Sequence, residues 1–371
     1  MLEPCEKLDW LQLIRTQNIG PITFHRLIAK YKTADAALKA LPELSRKAGR
    51  RTQLKASDRA QCEAELEKAD KHGARIIAAC EDNYPKALKA IPDHPPLIYV
   101  RGHASLFGKP AVAIIGARNA SGVGRKIART LAGGLGQAGY VVTSGLARGI
   151  DGAAHDAALT TGTIAVVAGG VDVIYPPEHE DLTERIAREG AVISECPMGA
   201  QPTARDFPKR NRLISGLSRG VVVVEAAAKS GTLLTANFAL EQGREVFAVP
   251  GSPLDPRCQG ANRLIRDGAT LVERADDIIN ALAAQTRNLS DKGRDLLGWA
   301  DGMGEQELDP AMLASLRRQV LEILSFTPLH RDEILREADA PPGLVADTLL
   351  ELVLTGEAME HEGGRFSLST G

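Results

Sequence analysis

No two cysteines in this chain stand in a C-x-x-C spacing. The five present (Cys5, Cys62, Cys80, Cys196, Cys258) are scattered. That distribution argues against a zinc site or a disulfide framework and points to free thiols in a reducing compartment. No apolar run approaches the ~20 residues of a membrane span. The opening MLEPCEKLDW has neither a basic n-region nor an apolar h-region, so no signal peptide is expected and the cytoplasm is the expected location. Strong net charge is also missing: 45 Lys+Arg against 47 Asp+Glu leaves −2. Any affinity for a polyanion must therefore be local.

Local charge is uneven. Residues 1–75 carry 15 basic and 10 acidic side chains, and residues 200–266 carry 10 and 5. Residues 311–371 reverse the balance, with 5 basic and 10 acidic. The first two segments suit a polyanion; the last would be repelled by one. A length of 371 residues with 44% hydrophobic and 25% charged side chains fits an ordinary globular chain of two or three domains.

What the chain does have is a series of glycine-rich corners, each at the end of an apolar strand-like run. They read AIIGARNASGVG (113–124), VVTSGLARGIDGAAH (141–155), VVAGGVDVIYPP (166–177), VVVVEAAAKSGTLLTA (221–236) and FAVPGS (247–252). Apolar strands, small-residue corners and amphipathic helix-length segments in alternation predict an α/β, Rossmann-like, doubly wound parallel sheet. Ligands of such sheets sit at the carboxyl ends of the strands, where helix N-termini hold anions. Several such corners beside the basic run FPKRNR (207–212) suggest a phosphate-bearing polymer rather than one small cofactor.

Four segments are expected. Residues 1–73 read as a small helical domain of helix-hairpin-helix or sterile-alpha-motif type, broken at Asn18-Ile19-Gly20-Pro21. Such a hairpin either binds DNA backbone or serves packing alone. The loop RKAGRRTQLK (46–55) is basic. Residues 74–284 form the sheet domain, and 285–310 read as a partly disordered linker. Residues 311–371 show three helices and a hairpin turning at Gly363-Gly364, a winged-helix-like domain. Its helix PGLVADTLLELVLTG carries Asp347 and Glu351 and no Lys or Arg. A protein partner or a structural role suits that acidic module better than DNA.

Seven blocks then stand in order: GARNASGVG, SGLARGIDGAAHDAAL, GGVDVIYPPEH, SECPMG, FPKRNRLISGLS, VVEAAAKSGTLLTANFALEQGREVFAVPG and GANRLIRDGA. Together they resemble the signature blocks of the DNA-processing protein A (DprA/Smf) family over roughly residues 75–280. The resemblance implies binding of single-stranded DNA, loading of RecA recombinase during natural transformation, and a homodimer formed through the Rossmann-like domain. It implies no enzyme activity, cofactor or metal.

Within this frame Arg118 stands at a strand end beside a helix N-terminus, placed to fork onto a phosphate; an ion pair to a carboxylate is the plain alternative. It matches the arginine of the family's G-S-R block, here Gly116-Ala117-Arg118. The string lacks G-x-G-x-x-G, and the next strand lacks the acidic residue that holds a ribose, which argues against NAD. The proposed DNA-contacting set is Arg118, Ser121, Gly145, Arg148, Lys209, Arg210, Asn211, Arg212, Ser230, Gly231 and Thr232. Lys209 and Arg212 are expected to share a helix face, with Arg210 turned to phosphate or inward to order the corner. Phe207 offers a base-stacking ring. Asn211 is read as a partner of a base edge or of its own corner.

Gly116, Asp151, His155 and Glu225 are read as corner-forming. Asp151 is expected to cap its helix, His155 to bond nearby backbone, and Glu225 to accept N–H groups of a neighbouring loop. The rival for Asp151 and His155 is acid–base chemistry on a nucleotide. Lys229-Ser230-Gly231-Thr232 resembles an anion nest but lacks P-loop spacing. The P-G-G-x-G-T-x-x-E string of related nucleoside-monophosphate hydrolases is absent. A small-nucleotide sensor remains as a third reading.

Overall fold

The computed structural model describes residues 2–47, 55–295, 310–338, 340–361 and 364–369. Most of the basic loop 46–55, residues 296–309 of the expected linker, and Gly363 of the expected hairpin turn lie outside the described residues. The chain divides into two units, one of Met1–Glu3 with Glu63–Gly298 and one of Pro4–Cys62 with Trp299–Gly371.

The second unit opens with α1 (Pro4–Ile14), α2 (Pro21–Tyr31) and α3 (Ala34–Lys47). The break before α2 has local causes. Asn18 takes a left-handed φ of 65°, and Pro21 occupies the first turn of α2, where its missing N–H costs nothing. Trp10, Leu11, Leu13, Phe24 and Leu27 form the buried face.

The helix α4 (Arg59–Lys71) ends just before the expected boundary at residue 73. From Glu63 onward it belongs to the sheet unit. Ala69 is buried with Tyr99 in one apolar cluster, the Tyr99 hydroxyl donates to Glu65, and Lys68 pairs with Asp172 at 2.8 Å.

The sheet unit continues with β1 (Ala74–Ala78), α5 (Lys86–Lys89), β2 (Leu97–Gly102), β3 (Ala111–Ile115), α6 (Gly122–Gln137), β4 (Val141–Ser144), α7 (Ile150–Ala158) and β5 (Thr163–Val166). It goes on through α8 (Glu180–Glu189), β6 (Ala191–Ser194), α9 (Asp206–Leu217), β7 (Gly220–Val223), α10 (Thr232–Glu241) and β8 (Glu245–Ala248). It closes with α11 (Gln259–Arg266), β9 (Thr270–Leu271) and α12 (Ala275–Asp295).

Strand order is β1-β2-β6-β5-β4-β3-β7-β8-β9. All neighbours from β6 to β9 are parallel, while β1 and β2 add an antiparallel edge. Strands β3 to β7 are buried along their whole length, as a sheet covered by helices on both faces requires. These strands run parallel, so the corners after β3, β4, β5 and β7 gather at one edge of the sheet, and winding reverses between β3 and β7. The edge strand β9, only two residues long, goes unread in the sequence. Helix α12 runs to Asp295, past the expected domain end at residue 284.

In the second unit α13 (Pro310–Ile323), β10 (Leu329–His330), α14 (Arg331–Glu337), α15 (Pro342–Thr355), β11 (Ala358–His361) and β12 (Arg365–Leu368) form a winged helix. Val320, Ile334, Leu349 and Phe366 centre its core. The His330 side chain and Glu333 cap α14 reciprocally.

Candidate nucleic-acid interface

Three loops after β3, β4 and β5 meet the first turns of α9. The loop after β4 is the tightest. Leu146 takes φ 55° and Gly149 φ 83°. A Cβ on Gly145 would stand 1.8 Å from Arg210 Nη1, so only glycine leaves room for that guanidinium. Arg210, reaching in from α9, is buried and donates from Nη2 to the Gly145 carbonyl at 2.8 Å. Its Nε has no hydrogen-bond partner. Burial lowers its pKa to about 10, so the side chain stays cationic at neutral pH.

Beneath it Asp151 accepts the amides of Gly145 at 3.2 Å and Ala147 at 3.3 Å. This carboxylate orders the preceding corner and makes no side-chain cap to its own helix, which corrects the capping role expected for it. Burial raises its pKa, against the pull of Arg210 and the amides.

Aromatic and cationic groups stack above this corner. The Phe207 ring has the Arg118 guanidinium 5.0 Å and the Arg210 guanidinium 5.9 Å from its centroid. Tyr175, 44% exposed, adds a second ring at 5.5 Å. Arg118, Arg148, Tyr175, Phe207 and Arg210 line one cleft with the Gly145 corner. Arg118 is exposed, and Arg148 carries only a loose exposed pair with Glu178 at 3.5 Å. Exposed cations over aromatic faces provide phosphate neutralisation and base stacking together. Tyr175 is absent from the residues that the sequence singles out, although it lies inside the GGVDVIYPPEH block.

The other expected residues are placed differently. Lys209 faces solvent on α9 and does not line the cleft. Arg212 does not share its face: it is buried, pairs with Glu195 at 2.5 Å and Asp93 at 3.3 Å, and donates to the Asp93 carbonyl at 2.7 Å. It therefore serves as a tether of α9 rather than a free phosphate ligand, because α9 is buried on every side from Arg212 onward. Asn211 is half-buried, its side-chain oxygen 3.5 Å from Arg210 Nη1.

Ser121 gives its amide and hydroxyl to the Glu225 carboxylate at 3.0 and 2.5 Å, and its hydroxyl accepts the Gly124 amide at 2.8 Å. A carboxylate thus occupies the crevice between β3 and β7, where a dinucleotide pyrophosphate would sit. Ser230 and Thr232 bond each other at 3.0 Å, and Thr232 donates to the Gly116 carbonyl at 3.2 Å. With exposed Gly231 they stand outside the cleft lining.

His155 is fully buried, bonds the Thr163 hydroxyl at 2.7 Å and interacts with the Ser144 backbone. Burial pushes its pKa from 6.5 down to about 3. A depressed histidine contributes stability that is lost as pH falls from about 6.5 toward 3, at up to ~1.4 kcal/mol per pH unit. Urea unfolding at pH 7 and pH 5 should show a loss on the order of 2 kcal/mol that His155→Gln lacks. Equal pH dependence in both proteins would refute this assignment.

The model of the DNA recombination-mediator protein A family matches residues 75–283. The chain belongs to that family. A DprA-like N-terminal HHH domain matches residues 4–68 and a DprA winged helix domain residues 305–364. Protein Smf of Synechocystis sp. is 31% identical, over 97% of this chain and 98% of its own. The X-ray structure of DNA processing protein A from Streptococcus pneumoniae is similar with a TM-score of 0.64 and 35% identity, over 76% of this chain and 98% of its own. DNA processing protein A from Helicobacter pylori, whose structure addresses its single-stranded DNA binding mode, gives a TM-score of 0.52 and 32% identity over 57% and 96%. Family membership places this chain in DNA processing and recombination.

Proposed function

We propose that this chain binds single-stranded DNA without sequence preference at the Arg118–Arg148–Phe207–Arg210 cleft and passes it to the RecA recombinase. The observation that carries this reading is the stack of Arg118 on Phe207, beside Tyr175 and above the buried Arg210. Arg118 and Arg148 neutralise phosphates, the two rings receive bases, and Arg210 holds a fixed positive charge at the floor. Lys209 and the amides of the Gly231 corner supply charge and donors further along the strand. The single-stranded DNA binding of the Helicobacter pylori relative supports the same assignment.

The protein acts as a binder rather than an enzyme. Asp151, His155 and Glu225, the groups on which an enzyme reading depends, are committed to internal hydrogen bonds. It works as a homodimer through the sheet unit, where Leu234 and Leu240 of α10 are exposed apolar side chains. No described helix is long and apolar enough to cross a membrane, and natural transformation in the cytoplasm is the setting we assign. The acidic winged helix serves a protein partner.

Calorimetry with thymidine monophosphate and a short thymidine oligomer separates this reading from a nucleotide sensor. The oligomer should bind and the mononucleotide should not. Equal heats from both would favour the sensor.

A further inference from the structure

A second cleft of about 250 Å³ opens beside the corner that carries Arg148, bounded by α6, α7 and α8. Its floor has little side chain. Gly149 and Gly152 lie there, and a Cβ on Gly152 would come 2.7 Å from His179 Cε1. Its rim is cationic. Arg125 and Arg129 stand one turn apart on the exposed face of α6, and Arg185 comes from α8. Against these three arginines the lining holds, among the described residues, one carboxylate, Asp156, 3.0 Å from Arg185. Among the described residues no aromatic ring lines the cleft other than the His179 imidazole, itself hydrogen-bonded to the Leu146 carbonyl at 3.0 Å.

The two clefts adjoin through residues that are neighbours in sequence. Arg148 lines the first and Gly149 the second. Glu178, paired with Arg148, is next to His179 of the second cleft. Charge along an open groove, with bare backbone on its floor and no platform for a base, is the chemistry of a sugar-phosphate track.

We infer that the single strand leaves the first cleft across the Arg148–Glu178 pair and runs into this second cleft, where Arg125, Arg129 and Arg185 neutralise phosphates of the flanking nucleotides. The inference rests on the single-strand reading of the first cleft. It assigns Asp156 an opposing role, since its carboxylate competes with phosphate for Arg185.

The test compares thymidine oligomers of roughly 5 and roughly 15 nucleotides, spanning the lengths typical of single-strand sites. Arg129→Glu should weaken the longer oligomer about 10-fold and reduce its salt slope by ~0.7 for each phosphate no longer neutralised, leaving the shorter one unchanged. Asp156→Asn should tighten the longer oligomer alone, a gain that a purely structural role for Asp156 does not produce. Arg118→Ala should weaken both lengths. Arg129 is exposed, so an unchanged melting temperature verifies the fold, and Arg129→Gln should give a smaller loss in the same direction. Unchanged binding of the longer oligomer by Arg129→Glu, or an equal loss at both lengths, overturns the track and leaves the cleft to another anion such as an acidic protein segment. Failure of the unaltered protein to bind either oligomer overturns the first-cleft reading, and the track with it.

Discussion

Replacing Arg118 with alanine should cut affinity for single-stranded DNA about 10- to 100-fold, equally for every sequence. That range follows from the roughly 1.5 to 3 kcal/mol carried by a hydrogen bond to a charged group, at about 1.4 kcal/mol per tenfold change. Arg118 is exposed and holds its place over Phe207 at 5.0 Å. That stacking is worth only ~0.5–1 kcal/mol at an exposed site, so folding stability should barely change. Because one phosphate is no longer neutralised, the salt slope should fall by ~0.7. Anisotropy titrations of several oligomer sequences check this. A loss confined to one sequence would mean that Arg118 reads bases, and a change under about 2-fold would remove it from the interface.

Arg210→Met should instead act on the fold. The substitution removes the bond to the Gly145 carbonyl and leaves Asp151 buried without its cation. Losing that charge-assisted hydrogen bond costs about 1.5–3 kcal/mol, and the unopposed burial of Asp151 adds to it. Asp151→Asn in the same chain should recover part of the loss, with a coupling of roughly 1 to 3 kcal/mol in a double-mutant cycle. The pH dependence carries its own sign. Burial already raises the Asp151 pKa, and loss of Arg210 raises it further. An acid with a raised folded pKa contributes stability that is fully present below its unfolded value near ~3.9 and lost as pH rises through the folded value. The damage from Arg210→Met should therefore be smaller at pH 4 than at pH 7. Additive single losses, or damage independent of pH, would show that the two groups do not interact.

These two arginines also show how far the sequence can be read. The parallel strands are legible because each is apolar throughout and ends at a glycine corner, as AVAII before Gly116 and VVTS before Gly145. Arg118 is legible from its place at a strand end. An inward turn of Arg210 is one of two options the sequence leaves open, and the missing Cβ of Gly145 is its physical cause. Arg212 is not legible as a tether, because its carboxylate partners Asp93 and Glu195 lie 119 and 17 residues away. Tyr175 is hidden for a similar reason: its meeting with Phe207 spans two separate corners. The division of α4 depends on Ala69 joining the buried cluster that holds Tyr99, which helical periodicity does not encode.

The most direct measurement is an anisotropy titration of a labelled thymidine oligomer at two salt concentrations, with a duplex competitor. For ~4 to 6 neutralised phosphates, log affinity should fall by roughly 3 to 4 per tenfold rise in salt, and the duplex should fail to displace the oligomer. Absence of binding at low salt, or full displacement by the duplex, would contradict a single-stranded DNA cleft built on Arg118, Phe207 and Arg210.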